Sequence, residues 1–164
     1  MTILPASLAA MALLSATVAT SDVTKPDTIT FGSSVADIQT AIASSCTTMD
    51  LRSFDPPKVP IAKTSHQQID CQGFDYMGEP RLAEFVFTDD RLQLVWILVD
   101  EDDQDRIIAA MEQEYGSKGL RNDMLIGYPA QRTAWRYEPK EILFYSEEVA
   151  PLFESRMVKP DPQP

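Results

Sequence analysis

The sequence predicts an α+β protein in which tandem αβββ repeats form one antiparallel sheet with two helices packed on one face. Two segments carry apolar residues at helical spacing, and each is followed by three segments with the alternation of a strand. A tight turn at Asp89-Asp90 joins two of these strands into the clearest hairpin of the chain. One sheet with both helices on the same side would bury both helical stripes, so this arrangement is favoured.

The first repeat, about 28–99, begins with a helix. Ser34 can cap this helix, with Asp37 three residues later as in a capping box. The pattern predicts a helix over 35–45, because apolar residues recur at helical spacing. These residues are Val35, Ile38 and Ile42.

A long irregular loop is predicted over 51–67, where the periodicity stops and three prolines occur. Further along, a two-residue turn at Asp89-Asp90 would pair Phe87 with Leu92. Six alternating side chains would then share one buried face: Ala83, Phe85, Phe87, Leu92, Leu94 and Trp96. The opposite, half-exposed face would carry Glu84, Val86, Gln93, Val95 and Ile97.

The second repeat, about 100–146, starts with acidic residues at 100–105, which suit the positive end of a helix. Its buried stripe is predicted at Ile107, Ile108, Met111 and Tyr115, and Gly116 is a natural stop. Strands are predicted over 124–128, 131–137 and 141–146, with a turn at Pro139-Lys140 that would pair Trp135 with Phe144. A short helical turn is expected beyond Glu147, up to Met157.

Residues 1–20 predict a signal peptide, because they contain no charged side chain and are mostly small or apolar. Small residues near 17–20 offer a cleavage site. The stretch is too short and broken for a comfortable membrane span, and an uncleaved anchor is the alternative. Residues 21–150 would then form a single domain, followed by a C-terminal tail over 151–164.

Cys46 and Cys71 are the two cysteines of the chain. An exported protein enters an oxidising compartment, so the pair predicts a disulfide that would stabilise the fold by about 3 kcal/mol. A metal site would need more ligands than two distant cysteines and one histidine. The predicted location is periplasmic or secreted.

The chain of 164 residues has 25 acidic and 14 basic side chains, which gives a net charge of −11 at pH 7. Such a field repels phosphate backbones and anionic lipids. We therefore expect no nucleic-acid partner and no membrane insertion after removal of the leader.

The sequence shows no recognisable catalytic machinery. His66 is the only histidine and is expected to be an exposed loop residue, and no serine lies in a G-x-S-x-G motif. The acids at 100–105 lack the glycine and terminal glutamate of a calcium loop, so they are interpreted as helix-start acids. We predict no catalytic residue, no metal and no cofactor; the enzymatic alternative is a hydrolase with unrecognised machinery.

The order of motifs in the first repeat resembles a known family. The segment ITFGSSVADIQTAI leads to Cys46, and a loop then leads to IDCQG and LAEFVFTDDRLQLV. This series is similar to the first repeat of the β-lactamase inhibitory protein family, and small outer-membrane assembly lipoproteins share a shortened version of it. The resemblance covers about 28–99 and implies an exported tandem αβββ scaffold whose relatives bind other proteins.

The half-exposed face of the sheet is the predicted binding surface, and another protein is the predicted partner. Aliphatic, aromatic and arginine side chains on such a face can form an interface core. The predicted partner-binding residues are Glu84, Gln93, Val95, Ile97, Arg136, Leu143 and Tyr145. Alternatively, dimerisation, the C-terminal segment or the long loop covers this face, and the protein is an envelope accessory or structural protein without a tight partner.

Overall fold

An eight-stranded antiparallel sheet and three helices make up the computed structural model, which describes residues 23–157. The helices are α1 Val35–Ile42, α2 Gln104–Tyr115 and α3 Ala150–Met157. The strands are β1 Thr48–Phe54, β2 His66–Tyr76, β3 Glu79–Thr88, β4 Arg91–Leu98, β5 Leu120–Arg121, β6 Leu125–Tyr128, β7 Thr133–Arg136 and β8 Glu141–Tyr145. The predicted α+β class with one antiparallel sheet is confirmed. The leader predicted at 1–20 and the end of the predicted tail, 158–164, lie outside the described residues.

The strands lie in the order β1-β2-β3-β4-β8-β7-β6-β5, so β4 and β8 meet at the centre. Four strands follow α1 and four follow α2, whereas three were predicted after each helix. The missed strand β1 lies at the edge of the sheet, and most of its side chains are exposed. It therefore lacks the apolar alternation that marks a strand in the sequence. The second missed strand, β5, has only 2 residues.

Helix α1 begins where the sequence predicts, because three polar contacts fix its first turn. The Ser34 hydroxyl accepts a hydrogen bond from the Asp37 backbone N–H at 3.2 Å and donates one to the Asp37 carboxylate at 2.7 Å. The Asp90 carboxylate accepts from the Val35 N–H at 3.1 Å. These contacts satisfy backbone donors that have no partner within the helix.

The predicted disulfide is present. Cys46 and Cys71 are bonded, with their Cα atoms 5.2 Å apart and a sequence separation of 25. The bond joins the segment after α1 to β2, and Cys71 is fully buried. It therefore connects the first helix to the sheet from within the core.

The β3–β4 hairpin turns at Asp89-Asp90, where both residues have positive φ angles, 53° and 57°. This conformation matches the two-residue turn that twists correctly for a hairpin. Phe87 pairs with Leu92, as predicted, but the next pair is Val86 with Leu94. The register shift leaves Gln93 as an extra residue on β4, which is a β-bulge.

The bulge reverses the faces of β4 beyond Gln93, since one extra residue moves every later side chain to the other side of the sheet. Val95 and Ile97 are fully buried in the core that contains α1 and α2. Leu94 and Trp96 lie on the opposite face. The prediction that Val95 and Ile97 lie on an open face, with Leu94 and Trp96 in the helix-covered core, is therefore wrong.

The β7–β8 hairpin also departs from its predicted register. Trp135 pairs with Ile142 instead of Phe144, because the loop spans 137–140 and not the Pro139-Lys140 dipeptide alone. A slip of two residues leaves each side chain on its predicted face. Trp135, Ile142 and Phe144 accordingly share the core with the first two helices.

The sheet has two differently covered sides, which we call the helix face and the α3 face. The helix face packs against α1 and α2 and holds the larger core, in which Phe85, Phe87 and Ile69 are fully buried. The α3 face packs against α3 and a few loop residues. Its buried residues are Val86, Leu94, Ala134, Leu143, Tyr145, Val149, Ala150 and Met157.

Helix α3 rests directly on the sheet at two points. The Phe153 ring stacks on Tyr145 with ring centroids 5.6 Å apart. The Met157 side chain lies over Gly127, so closely that a Cβ atom at position 127 would collide with it. A larger residue at this position would therefore force the Met157 side chain to move from its place on β6.

Candidate binding cleft

An apolar cleft of about 290 Å³ lies on the α3 face, between α3, the loop before β2 and the sheet. Most of the residues that line it are aliphatic or aromatic. They are Val59, Pro60, Ile61, Leu94, Trp96, Met124, Leu125, Ala134, Arg136, Leu143, Leu152, Phe153 and Arg156. Arg136 and Arg156 carry the only charges in this set.

The floor of the cleft is a row of side chains that crosses three strands. Trp96 pairs with Leu143, and Leu143 pairs with Ala134 on the other side. Ala134 has only a methyl group beneath α3, and its neighbour Gly127 on β6 has no side chain. The methyl group of Ala134 leaves space that a larger side chain would fill, whereas the space over Gly127 is taken by Met157.

One wall of the cleft is the loop that carries Val59, Pro60 and Ile61. The Asp89 carboxylate holds this loop, because it accepts backbone N–H hydrogen bonds from Thr64 at 2.7 Å and Ser65 at 3.1 Å. These hydrogen bonds hold the pKa of Asp89 far below its ordinary value. The carboxylate is therefore ionised throughout the physiological pH range, in the form that accepts these hydrogen bonds.

The opposite wall is α3, and aromatic rings and arginines meet along it. Phe153 contacts Trp96 edge-on, with ring centroids 6.3 Å apart. The Arg136 guanidinium lies 4.4 Å from the centroid of the Trp96 ring, and that of Arg156 lies 5.9 Å from Phe153. Each of the two arginines thus lies over an aromatic ring that itself lines the cleft.

The two arginines differ in their ion pairs. Arg136 pairs with Glu141, whose side chain is 2% exposed. Within residues 23–157, by contrast, the ion pairs do not include Arg156. Arg156 is an exposed residue in the last turn of α3. Among the described residues it is therefore the cation at this cleft without an ion pair.

The Glu141 carboxyl titrates close to neutral pH. Burial raises its pKa to about 7, the Arg136 guanidinium opposes this rise, and the nearby Glu84 charge adds to it. Burial and the charge of Asp70 also raise the pKa of Glu84, whose neighbour Arg52 pairs with Asp70 at 2.7 Å. The cleft is consequently bordered by a carboxylate whose charge changes with pH.

The structure separates the seven residues predicted to bind a partner. Glu84 and Arg136 are partly exposed on the α3 face, and Leu143 lines the cleft floor although it is only 2% exposed. Tyr145 is buried beneath Phe153, so the alternative that the C-terminal segment covers part of this face holds at that position.

Gln93, the bulged residue, is buried instead of exposed. Its amide nitrogen donates to Glu148 at 2.9 Å, and its amide oxygen accepts from the Ser146 hydroxyl. Val95 and Ile97 lie in the helix-face core, so neither can contact a partner. The expectation of an exposed surface is therefore wrong for Gln93, Val95, Ile97, Leu143 and Tyr145.

Sequence reasoning missed Trp96, Ala134, Met124 and Phe153 as cleft residues. Trp96 was assigned to the helix-covered core because the bulge has no local signature in the sequence. The one available signal was Phe153, a large aromatic residue in a short helical segment close to the C-terminus. An aromatic residue in that setting indicates that the helix packs on something.

His66 differs from its sequence expectation as well. It begins β2 and is buried, stacked on Phe54 with centroids 4.4 Å apart, instead of being exposed in a loop. Its Nδ1 accepts from the Lys58 N–H at 3.2 Å, and burial and the Lys58 charge lower its pKa. The imidazole is therefore neutral at pH 7.

The acidic residues at 100–105 lie at the start of α2, as predicted, with Asp105 in its first turn. Asp103 pairs with Arg106 at 2.9 Å and with the buried Arg81. The hydrogen bond from Arg81, and to a smaller extent that from Arg106, lowers the pKa of Asp103. Among residues 23–157, no group of three or more His, Cys, Asp or Glu side chains is arranged to hold a metal ion. Asp103 thus links the start of α2 to Arg81 on β3.

No family model, curated protein or solved structure matches the chain. In the part that the structure describes, none of the helices has the length and apolar character needed to cross a membrane.

Proposed function

We propose that this is an exported binding or inhibitor-like protein that engages a partner protein through the α3 face, with the cleft as the anchoring point. The observation that carries the proposal is an apolar cleft lined by Trp96, Phe153 and Met124 on the side of the sheet away from the main core. The proposal keeps the partner-binding face predicted from the sequence but moves its centre from Val95 and Ile97 to the cleft.

The composition of the cleft supports a protein partner. Trp, Phe, Met and Arg are the residue types enriched at protein interfaces, and Trp and Arg are frequent among hot spots. Met124 is a large apolar side chain that is 60% exposed. A volume of about 290 Å³ is also at the lower limit of small-molecule sites, which span about 300–1,000 Å³. The space suits one or two side chains that project from a partner.

Export belongs to the same proposal. The Cys46–Cys71 disulfide fits an oxidising compartment, so we place the protein in the periplasm or outside the cell, after cleavage of the leader at about residue 20. We also propose that α1 with β1–β4 and α2 with β5–β8 are tandem repeats, as the family resemblance implies. The symmetrical strand order on either side of the β4–β8 pair supports this organisation.

An envelope accessory or structural protein without a tight partner is the second candidate. One observation favours it: α3 and the loop before β2 already cover part of the face that was expected to be open. On this alternative the cleft is only an imperfectly filled space under a short helix.

Site-specific photocrosslinking separates the two candidates. A photoreactive residue at Met124 should give a discrete adduct with another protein in cells that express the full chain, while the same residue at Lys118, which is exposed but does not line the cleft, should give none. Ala134→Leu, which fills the cleft floor, should remove the Met124 adduct. Ala109→Leu, on the exposed side of α2, should leave it unchanged. If Met124 and Lys118 crosslink equally, or if Ala134→Leu changes nothing, the binding function is contradicted.

A further inference from the structure

We infer that the cleft receives an acidic segment of the partner protein, in which a bulky apolar side chain enters the cleft and an adjacent carboxylate binds Arg156. This inference rests on the proposed binding function and adds the chemistry of the partner. It commits to a peptide segment as the occupant, and other occupants are outcomes of the test below.

The apolar part of the inference follows from the size and lining of the cleft. Its volume of about 290 Å³ is roughly twice the 150 Å³ of a dry apolar cavity that holds a benzene molecule. An aromatic ring with its connecting carbon atoms, or a large aliphatic side chain, therefore fits against Trp96 and Phe153. Because Met124 and Arg156 at the border are exposed, the occupant can enter from a partner surface.

The acidic part follows from the distribution of charge. The whole chain has a net charge of −11, yet among residues 23–157 the charged side chains that line the cleft are two arginines. Glu141 compensates the charge of Arg136, so the positive charge that a partner meets at the cleft is that of Arg156. Acidic groups are favoured at this point, and basic groups gain nothing there.

Arg156 is the residue that would bind the carboxylate. Arg136 already pairs with Glu141, whereas no ion pair among residues 23–157 uses Arg156. Its guanidinium lies over the Phe153 ring, 5.9 Å from the centroid, so the cation is held beside the cleft. A planar guanidinium in this position can bind a carboxylate through two parallel N–H···O hydrogen bonds, a geometry that lysine cannot offer.

The test uses the oxidised, mature chain and three acetylated tripeptide amides, Gly-Phe-Asp, Gly-Phe-Asn and Gly-Phe-Lys. The chain has two tryptophans, of which Trp96 lines the cleft and Trp135 is buried on the helix face. Two-dimensional NMR therefore gives one indole N–H signal that reports on the cleft and one internal control, and Trp96→Phe assigns them. We expect the Asp peptide to shift the Trp96 signal with an affinity about tenfold higher than that of the Asn peptide, about 1.4 kcal/mol. The Lys peptide should bind most weakly.

Two arginine variants test the source of the preference. Arg156→Gln should reduce the Asp-over-Asn preference to less than about twofold, while the Asn peptide keeps its affinity. Arg121→Gln removes the same charge from a position paired with Glu112 of α2, and it should preserve the preference. A preference that survives Arg156→Gln overturns the assignment of this residue.

Other results also overturn the inference. Equal affinities of the three peptides would mean an apolar site without charge selection, and no shift of Trp96 with any peptide at about 5 mM would mean that the cleft does not accept such side chains. Displacement of the Asp peptide by decanoate at a lower concentration would identify a site for small amphiphiles. If the Met124 crosslink persists while the peptides show no charge preference, the proposed function stands and only this inference fails.

Discussion

The helix face and the α3 face belong to the same sheet, but they are covered in different ways. On the helix face, α1 and the 12-residue α2 cover a continuous core whose largest side chains are fully buried. On the α3 face, one helix of 8 residues and a loop share the covering and leave a cleft between them. The comparison teaches that short covering elements leave space where the side chains beneath them are small, as at Ala134.

The two faces also differ in their charges. The α3 face holds the buried Glu141 beside Arg136, together with the half-buried Glu84. The buried Arg81 contacts Asp103, near the start of α2. Burial of a carboxylate is tolerated on the α3 face because a partly exposed arginine lies next to it. The less completely covered face is thus also the one whose electrostatics respond to pH.

The largest expected effect tests whether the bulge separates the two faces. Val95 and Trp96 are adjacent in sequence but point to opposite sides of β4. Val95→Asp should abolish cooperative unfolding, because it places a carboxylate without a partner in the helix-face core. Trp96→Ala should fold and melt cooperatively. Circular dichroism melts of both variants decide the matter, and the reverse outcome would show that the bulge is misplaced.

A second pair of variants compares packing on the two faces. Phe85→Ala should lower the free energy of unfolding by about 3–5 kcal/mol, since it leaves a closed cavity in the main core. Leu143→Ala should cost nearer to about 2 kcal/mol, because the space it creates joins the existing cleft. Urea unfolding measures both. Equal losses would mean that the cleft floor is packed as tightly as the core.

The disulfide should stabilise the helix face without affecting the cleft. Replacement of Cys46 and Cys71 by alanine should lower the free energy of unfolding by about 3 kcal/mol, mainly because the unfolded chain gains freedom. The Trp96 indole signal should keep its position in the NMR spectrum. A large shift of that signal would show that the two faces are more strongly coupled than their separate cores indicate.

The smallest effect concerns pH. The pKa of Glu141 is raised from 4.5 to about 7, so between these values the folded state binds more protons than the unfolded state. Preferential protonation of Glu141 in the folded state therefore stabilises the fold at pH 5, and this stabilisation is lost as pH rises through 7. Glu141→Gln should raise the free energy of unfolding by about 2 kcal/mol at pH 8 and hardly change it at pH 5. This magnitude allows for the part of the burial penalty that the partly exposed Arg136 screens.

Thermal melts between pH 5 and pH 8 test this sign. The exposed Glu114→Gln removes the same charge and should leave the pH dependence unchanged. His66, whose lowered pKa acts in the opposite direction, is common to all three proteins, so the difference between variants isolates Glu141. If Glu141→Gln increased the stability more at pH 5 than at pH 8, the raised pKa of Glu141 would be contradicted.

The sequence predicts those features that depend on local rules. The stripes of α1 and α2, the hydroxyl cap at Ser34 and the turn at Asp89-Asp90 follow from spacing and turn chemistry, and all three are confirmed. The disulfide is confirmed as well. Its pairing was predictable because the chain has only two cysteines, so no other pairing within the chain is possible.

The cleft could not be predicted, because it depends on contacts between distant parts of the chain. The extra residue Gln93 interrupts an alternation that continues without a break in the sequence, so Val95 was assigned to the wrong face. The position of α3 depends on the fit of Met157 over Gly127, which lies 30 residues earlier and carries no special sequence signal. Packing between the sheet and the elements that cover it, not local propensity, decides the face of Val95 and the position of α3.

The Asp89-Asp90 turn has a consequence for the order in which the protein assembles. Its two carboxylates contact segments far away in sequence: Asp89 holds the loop at Thr64 and Ser65, and Asp90 holds the first turn of α1 at Val35. Both contacts need the left-handed backbone of the turn, so we expect the β3–β4 hairpin to form before the loop and the helix start are fixed. Truncations in the hairpin should then slow folding, whereas truncations in the loop should mainly speed unfolding, and stopped-flow kinetics would distinguish the two. The cleft wall is in that case among the last parts of the molecule to form and the first to open.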